Sequence, residues 1–244
     1  MSWRTIVVAN SAKMDYQLGY LVVRTDKVTK IHLTEISLVI IESTAVSITA
    51  ALLSELMKKK IKVVFCDEKR NPSSELIPYY GSHDTSAKVR EQIKWNQEKK
   101  SLIWTEIVAE KIRKQADLLR IFHKKEADQL DTYITELQYG DATNREGHAA
   151  KVYFNALFGL DFSRTDENSI NAALNYGYGI ILSMFNREIV SNGYITQFGL
   201  FHDNMFNQFN LGSDLMEPFR PLVDRKVVVM KPEKFETDEK HQIL

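Results

Sequence analysis

Short apolar runs separated by polar breaks dominate the first third of the chain. WRTIVVA, YLVVRT, VTKIHLT and SLVIIES are rich in β-branched residues and predict strands, with a tight turn at Asp26-Lys27. From Ser47 to Lys60 the period changes. Ile48, Leu52, Leu53 and Leu56 make the stripe of an amphipathic helix, closed by Lys58, Lys59 and Lys60, cations that suit the carboxyl end of the helix dipole. IKVVFCD predicts a strand directly after it. ELIPYY predicts one more at a sheet edge, because Pro78 has no N–H to give to a ladder.

From about Thr85 to Gln138 Gly and Pro nearly vanish, and two or three helices are expected, with Trp95, Ile103, Ile107, Ile112, Leu118 and Ile121 among the apolar positions. Further on, Thr143 or Asn144 is placed to cap a helix that ends at Phe158 with Gly159 after it. A long helix is expected from about Asn168 to Asn192, closed by Gly193. Ile170, Leu174, Ile181, Phe185 and Ile189 mark its core side, and Asn171, Asn175 and Tyr178 a polar stripe whose amides satisfy neighbouring groups. Gly177 and Gly179 inside it imply close packing against another segment. The fold class is therefore α+β: a small β-rich domain over residues 1–82, then a larger all-α domain over 83–244, with the change of texture near residues 81–86.

Composition narrows the class without choosing a function. A chain of 244 residues, 44% hydrophobic and 26% charged, suits a globular protein with a sizeable core. A single cysteine, Cys66, rules out an intramolecular disulfide framework and fits a reducing cytoplasm. No opening signal peptide is visible, and no apolar run is long enough for a bilayer. Lys plus Arg equals Asp plus Glu at 32 each, so attraction for a polyanion has to come from clustering. Such a cluster exists: Lys88 to Lys125 holds eleven basic residues against five acidic ones. It reads either as a solvated helix surface with i, i+4 pairs or as a face for a phosphate backbone.

Candidate chemistry centres on Asn207 to Asp224, NQFNLGSDLMEPFRPLVD. If Ser213 caps a short helix there, Asp214 and Glu217 share one face, and two neighbouring carboxylates require a cation, a proton or an arginine between them. His202 stands just upstream. These three residues are a candidate site for a divalent metal, with oxygen ligands favouring Mg²⁺ or Mn²⁺. Glu146 lies in line with the apolar stripe Ala150, Tyr153 and Leu157, and its position alone favours a first-turn residue suited to the helix dipole. Glu146 and His148, two apart, do not share a helix face. GxxxxGK[ST], HExxH, paired CxxC and GxSxG are all missing.

WRTIVV, FCDEKR before PYYGSHD, NREGHAAKVYFNALFG, NAALNYGYGIILSMF and FNQFNLGSDLMEPFRPLVD together resemble the CRISPR-associated adaptation integrase family (Cas-one), most closely its type II-A form. The resemblance implies a β domain that forms a homodimer and a helical catalytic domain. It implies one divalent metal, Mg²⁺ or Mn²⁺, held by Glu146, His202 and Glu217, with Asp214 as a second acid nearby. It implies an endonuclease and integrase that joins the 3′-hydroxyl of a short DNA fragment to a CRISPR repeat by transesterification. Implied partners are double-stranded DNA (fragment and repeat), a small ferredoxin-like protein (Cas-two) in a heterohexamer, and, for type II-A, a ring-forming DNA-end protein and the RNA-guided effector nuclease. Members of this type continue for some tens of residues beyond the position of Leu244, so either more helix follows KHQIL or this member is short. The alternatives to the integrase are a stand-alone nuclease and a non-catalytic DNA-binding scaffold.

Overall fold

A computed structural model describes residues 3–78 and 82–243. The chain divides into two compact units, Met1–Ser82 and His83–Leu244. The expected α+β class holds: among the described residues, strands are confined to the first unit and the long helices to the second.

Among the described residues, the first unit contains two four-stranded sheets. In one, β1 (Arg4–Val8), β5 (Ile36–Ile41) and β7 (Lys62–Cys66) run parallel, and β8 (Pro72–Glu75) closes the edge antiparallel to β7. The other has the order β4 (Val28–His32), β3 (Tyr20–Arg24), β2 (Ala12–Gln17), β6 (Val46–Ile48). Met14, Leu21, Val39, Val63, Leu52 and Leu56 meet in its core. The β2–β3 hairpin turns at Leu18 and Gly19, both at positive φ (45° and 90°), the pairing that matches the twist of the flanking strands.

Three expectations need correction here. The stretch AKMDYQ, not predicted as a strand, is β2. The predicted helix of Ser47 to Lys60 is shorter: Ser47 and Ile48 pair with β2, Thr49 caps at its side chain, and α1 is Ala50–Lys58. Ladder bonds to β2 hold the first turn of that window extended. The edge strand sits earlier than ELIPYY, at Pro72–Glu75, where Ser74 and Glu75 pair with Phe65 and Val64. Tyr79 and Tyr80 lie outside the described residues.

Among the described residues, the regular elements of the second unit are all helices. It comprises α2 (Thr85–Ile93), α3 (Gln97–Ile121), α4 (Ala127–Thr135), α5 (Arg145–Phe158), α6 (Ser169–Ser191), α7 (Asn210–Met216), α8 (Arg220–Met230) and α9 (Thr237–Ile243). A 3₁₀ turn, Glu217–Phe219, links α7 to α8. The long α3 is the spine, packing against α4, α5, α8 and that turn. Its buried stripe is Trp104, Val108, Ile112, Ala116 and Leu119, whereas Ile103 and Ile121 are exposed. Against α6 lie Val223 and Val227 of α8. A methyl on Gly177 would meet Val223 Cγ1 at 2.4 Å, so that glycine is required by the helix contact. Gly179 has open space around it and plays no such part, contrary to the expectation for the pair.

Candidate metal and strand-transfer site

Four stretches of the helical unit bring the site together. Glu146 stands in the first turn of α5. Asn144, in the left-handed region (φ 53°), accepts from Gly147 N–H, and the Asp141 carboxylate accepts from the N–H groups of Arg145 (2.6 Å) and Glu146 (3.1 Å). The first turn of α5 is therefore fixed before its side chains are considered.

His202 lies on the loop from residue 192 to 209, which three buried polar side chains hold. Gln92 of α2 donates to the carbonyls of Ile195 and Phe198 and accepts from Ile195 N–H. Asn210 donates to the carbonyls of Gln197 and Asn204. Asp214, fully buried, accepts from the N–H groups of Leu200 (2.5 Å), Phe201 (3.1 Å) and His202 (3.1 Å), and its Oδ1 is 2.6 Å from His202 Nδ1. Gly199 makes this wrapping feasible: a Cβ there would meet His202 O at 2.4 Å and Asp214 Oδ2 at 2.7 Å. Trp104 stacks on Phe201 at 4.4 Å and meets the His202 ring edge-on at 5.8 Å.

Ser213 is not a cap. It sits inside α7, and its hydroxyl accepts from Asn207 Nδ2. Asp214 and Glu217 accordingly do different work. Asp214 organises the loop and fixes the His202 ring, while Glu217 opens the 3₁₀ turn and faces α3. Arg220 gives both Nε and Nη2 to Glu217 Oε1 at 2.9 Å and lies over the Tyr178 ring at 4.6 Å. Lys111 of α3 contacts Glu146, and its Nζ makes an ion-pair contact of 2.5 Å with Glu217 Oε2. Glu146 and Glu217 thus converge on one cation, and that cation is an ammonium. Among the described residues, no three His, Cys, Asp or Glu side chains close around a point as a metal would require.

Electrostatics follow from these neighbours. The hydrogen bond to Asp214 raises the His202 pKa; burial opposes it, and Asp214, Glu217 and Glu146 add their charge. Burial works to raise the Glu217 pKa, but Lys111 and Arg220 outweigh it, and the carboxyl is held below its ordinary value. Behind Arg220, the buried Asp224 accepts from Tyr178 and, at 2.7 Å, from Tyr153.

The donor types are those a hard divalent cation takes, although the side chains do not close around a point with the Lys111 ammonium between the two carboxylates. Two carboxylates already share one positive charge, and a carboxylate ties the Nδ1 of an imidazole and leaves its Nε2 for a ligand, an arrangement common around metal-bound histidine. Sequence reasoning missed Lys111 by counting it with the surface bases. The available signal was its place on the buried stripe of α3, three residues after Val108 and seven after Trp104. Several other bases of that stretch pair with acids on or beside their own helix, among them Arg113 and Lys114 with Glu110 and Arg120 with Asp117.

The α+β fold, strands first and helices after, has solved counterparts. The fold matches a casposase bound to integration product (TM-score 0.77, 18% identity, 99% of this chain and 80% of that one). It also matches a chain of a Cas6-RT-Cas1–Cas2 complex (TM-score 0.67, 23% identity, 93% and 28%). The model of the family "CRISPR associated protein Cas1" matches residues 6–244. A CRISPR-associated endonuclease Cas1 from Neisseria meningitidis serogroup C (strain 8013) is 35% identical over 230 residues, 93% of this chain and 76% of the relative. The chain belongs to the Cas1 family. No helix among the described residues is long and apolar enough to cross a membrane.

Proposed function

We propose that this protein is the DNA integrase subunit of CRISPR adaptation, with associated endonuclease activity, and that its site binds one Mg²⁺ or Mn²⁺ through Glu146, Glu217 and His202. The observation that carries the reading is the convergence of Glu146 and Glu217 on a single cation, beside an imidazole oriented by Asp214. The relative named an endonuclease and the casposase bound to integration product support the activity. The Cas6-RT-Cas1–Cas2 complex supports a Cas2 partner. The sequence motifs support the type II-A form, in which the β unit forms a homodimer and the ring-forming DNA-end protein and effector nuclease join the assembly. Co-purification with those two proteins tests the subtype.

In the reaction, the 3′-oxygen of the fragment forms a bond to a phosphorus of the repeat, and the bond from that phosphorus to its own 3′-oxygen breaks. One phosphodiester replaces another, so no nucleotide cofactor is consumed. A bound divalent cation supplies Lewis-acid charge for the phosphate oxygens. The chain's own groups prepare the place. Glu146 and Glu217 set two oxygens on one point, Arg220 fixes the outer oxygen of Glu217, and Asp214 holds the His202 ring by its Nδ1. Trp104 beneath Phe201 keeps the loop from shifting.

Strand-transfer products on a repeat-bearing plasmid, with the Cas2 partner present, test the reading. His202→Ala and Glu217→Gln are expected to abolish joining while DNA binding stays within about threefold, since DNA affinity comes mainly from phosphate contacts elsewhere. Nicked plasmid without joined product identifies a stand-alone nuclease. Variants as active as wild type remove the proposed site.

A further inference from the structure

Lys111 has no part in the reaction as written, yet it is the group both carboxylates face. Its side chain is 7% exposed, and its position on the inner stripe of α3 carries the ammonium into the site. An ammonium this buried persists only when paired, and two facing carboxylates persist only with positive charge between them. Each answers the other's need. Because Arg220 takes Oε1 of Glu217, the oxygens turned toward the shared point are Glu217 Oε2 and Glu146 Oε1, and Lys111 holds both. These are also the oxygens that a metal bound between the two carboxylates needs.

We propose that Lys111 is a resident counter-cation that holds Glu146 and Glu217 in place in the metal-free protein and is displaced from them when a divalent cation enters. This rests on the metal reading given above. An ammonium and a divalent ion compete for the same lone pairs and repel each other across a short, poorly solvated gap. Metal entry is therefore an exchange of one bound cation for another. The exchange keeps the site's affinity below what the same ligands give without an internal competitor, and it keeps the carboxylate pair assembled until the metal arrives.

Mn²⁺ titration of the full-length protein, followed by calorimetry or by the EPR signal of the free ion, compares wild type with Lys111→Met. The variant is expected to bind Mn²⁺ on the order of tenfold more tightly or better. It is also expected to melt at a lower temperature in metal-free buffer, with Mn²⁺ restoring more of the loss than it adds to wild type. Equal or weaker affinity of the variant overturns the proposal. If Lys111→Met does not fold, wild type answers by itself through acylation of Lys111 by an amine-reactive reagent, located by mass spectrometry. Labelling is expected to rise when Mn²⁺ saturates the site; labelling that stays level or falls overturns the proposal. Absence of Mn²⁺ binding by wild type and variant alike overturns the metal reading itself. Equal binding by both leaves that reading standing and removes only the role of Lys111.

Discussion

Asp224 is fully buried between the hydroxyls of Tyr153 and Tyr178, with Arg164 and Arg220 over the face of Tyr178. Burial raises its pKa from 3.8 to about 6, against the lowering effect of the two tyrosine hydrogen bonds and the two arginines. The folded state thus keeps a proton on Asp224 between pH 3.8 and about 6 that the unfolded chain has already lost. This group's contribution to stability therefore falls as pH rises through that window and levels off above it. Asp224→Asn carries no such titration. The unfolding free energy of the variant minus that of wild type is expected to rise by on the order of 2–3 kcal/mol between the two ends of that window. Denaturant unfolding of both proteins across the pH range measures it, and a difference that stays flat with pH rejects the assignment. Glu217 shows the opposite outcome of the same contest, because Lys111 and Arg220 stand beside it and their charge exceeds the penalty of burial.

Helix α6 carries its contacts unevenly, and its two glycines display that. At Gly177 a methyl collides with Val223 Cγ1 at 2.4 Å, so Gly177→Ala forces α6 and α8 apart. Overpacking of this kind costs about 1–3 kcal/mol, more than the gain of up to about 1 kcal/mol that alanine brings to a helix. Gly179 meets nothing within 4 Å, and Gly179→Ala is expected to stabilise by about 0.5–1 kcal/mol. Thermal unfolding of the two variants should therefore move in opposite directions; a common direction contradicts the packing described. The same helix–helix contact bears on the site, since α8 begins with Arg220 and α6 supplies Tyr178 beneath its guanidinium.

At the scale of the whole molecule the charges cancel, yet the basic excess of residues 88–125 remains a candidate phosphate face even with several of its members paired to acids. DNA affinity is expected to fall by on the order of tenfold or more between about 50 and 200 mM salt, through release of condensed counterions. A fluorescence-anisotropy titration that shows no salt dependence removes this surface from the binding account. The local features of the fold were legible in the sequence because they are set by interactions spanning a few residues. Asn144 and Asn168 cap α5 and α6, and Gly159 and Gly193 follow their ends at positive φ, as side-chain capping and backbone sterics require. Strand β2 escaped notice because its inward positions are Ala12, Met14 and Tyr16, an alternation without β-branched residues. Asp214, Glu217 and His202 were legible from residue type and spacing, whereas Glu146 was legible only through a family motif, since periodicity left it a plain first-turn acid. Which groups share a charge was decided by tertiary structure alone. Lys111 and Glu146 are 35 residues apart, and only the packing of α3 against α5 and the 3₁₀ turn of Glu217 brings an ammonium between two carboxylates. Sequence by itself determined most of the elements and the caps of α5 and α6, because those energies are local. The fold decided the site, because burial makes a charge depend on the nearest opposite charge in space.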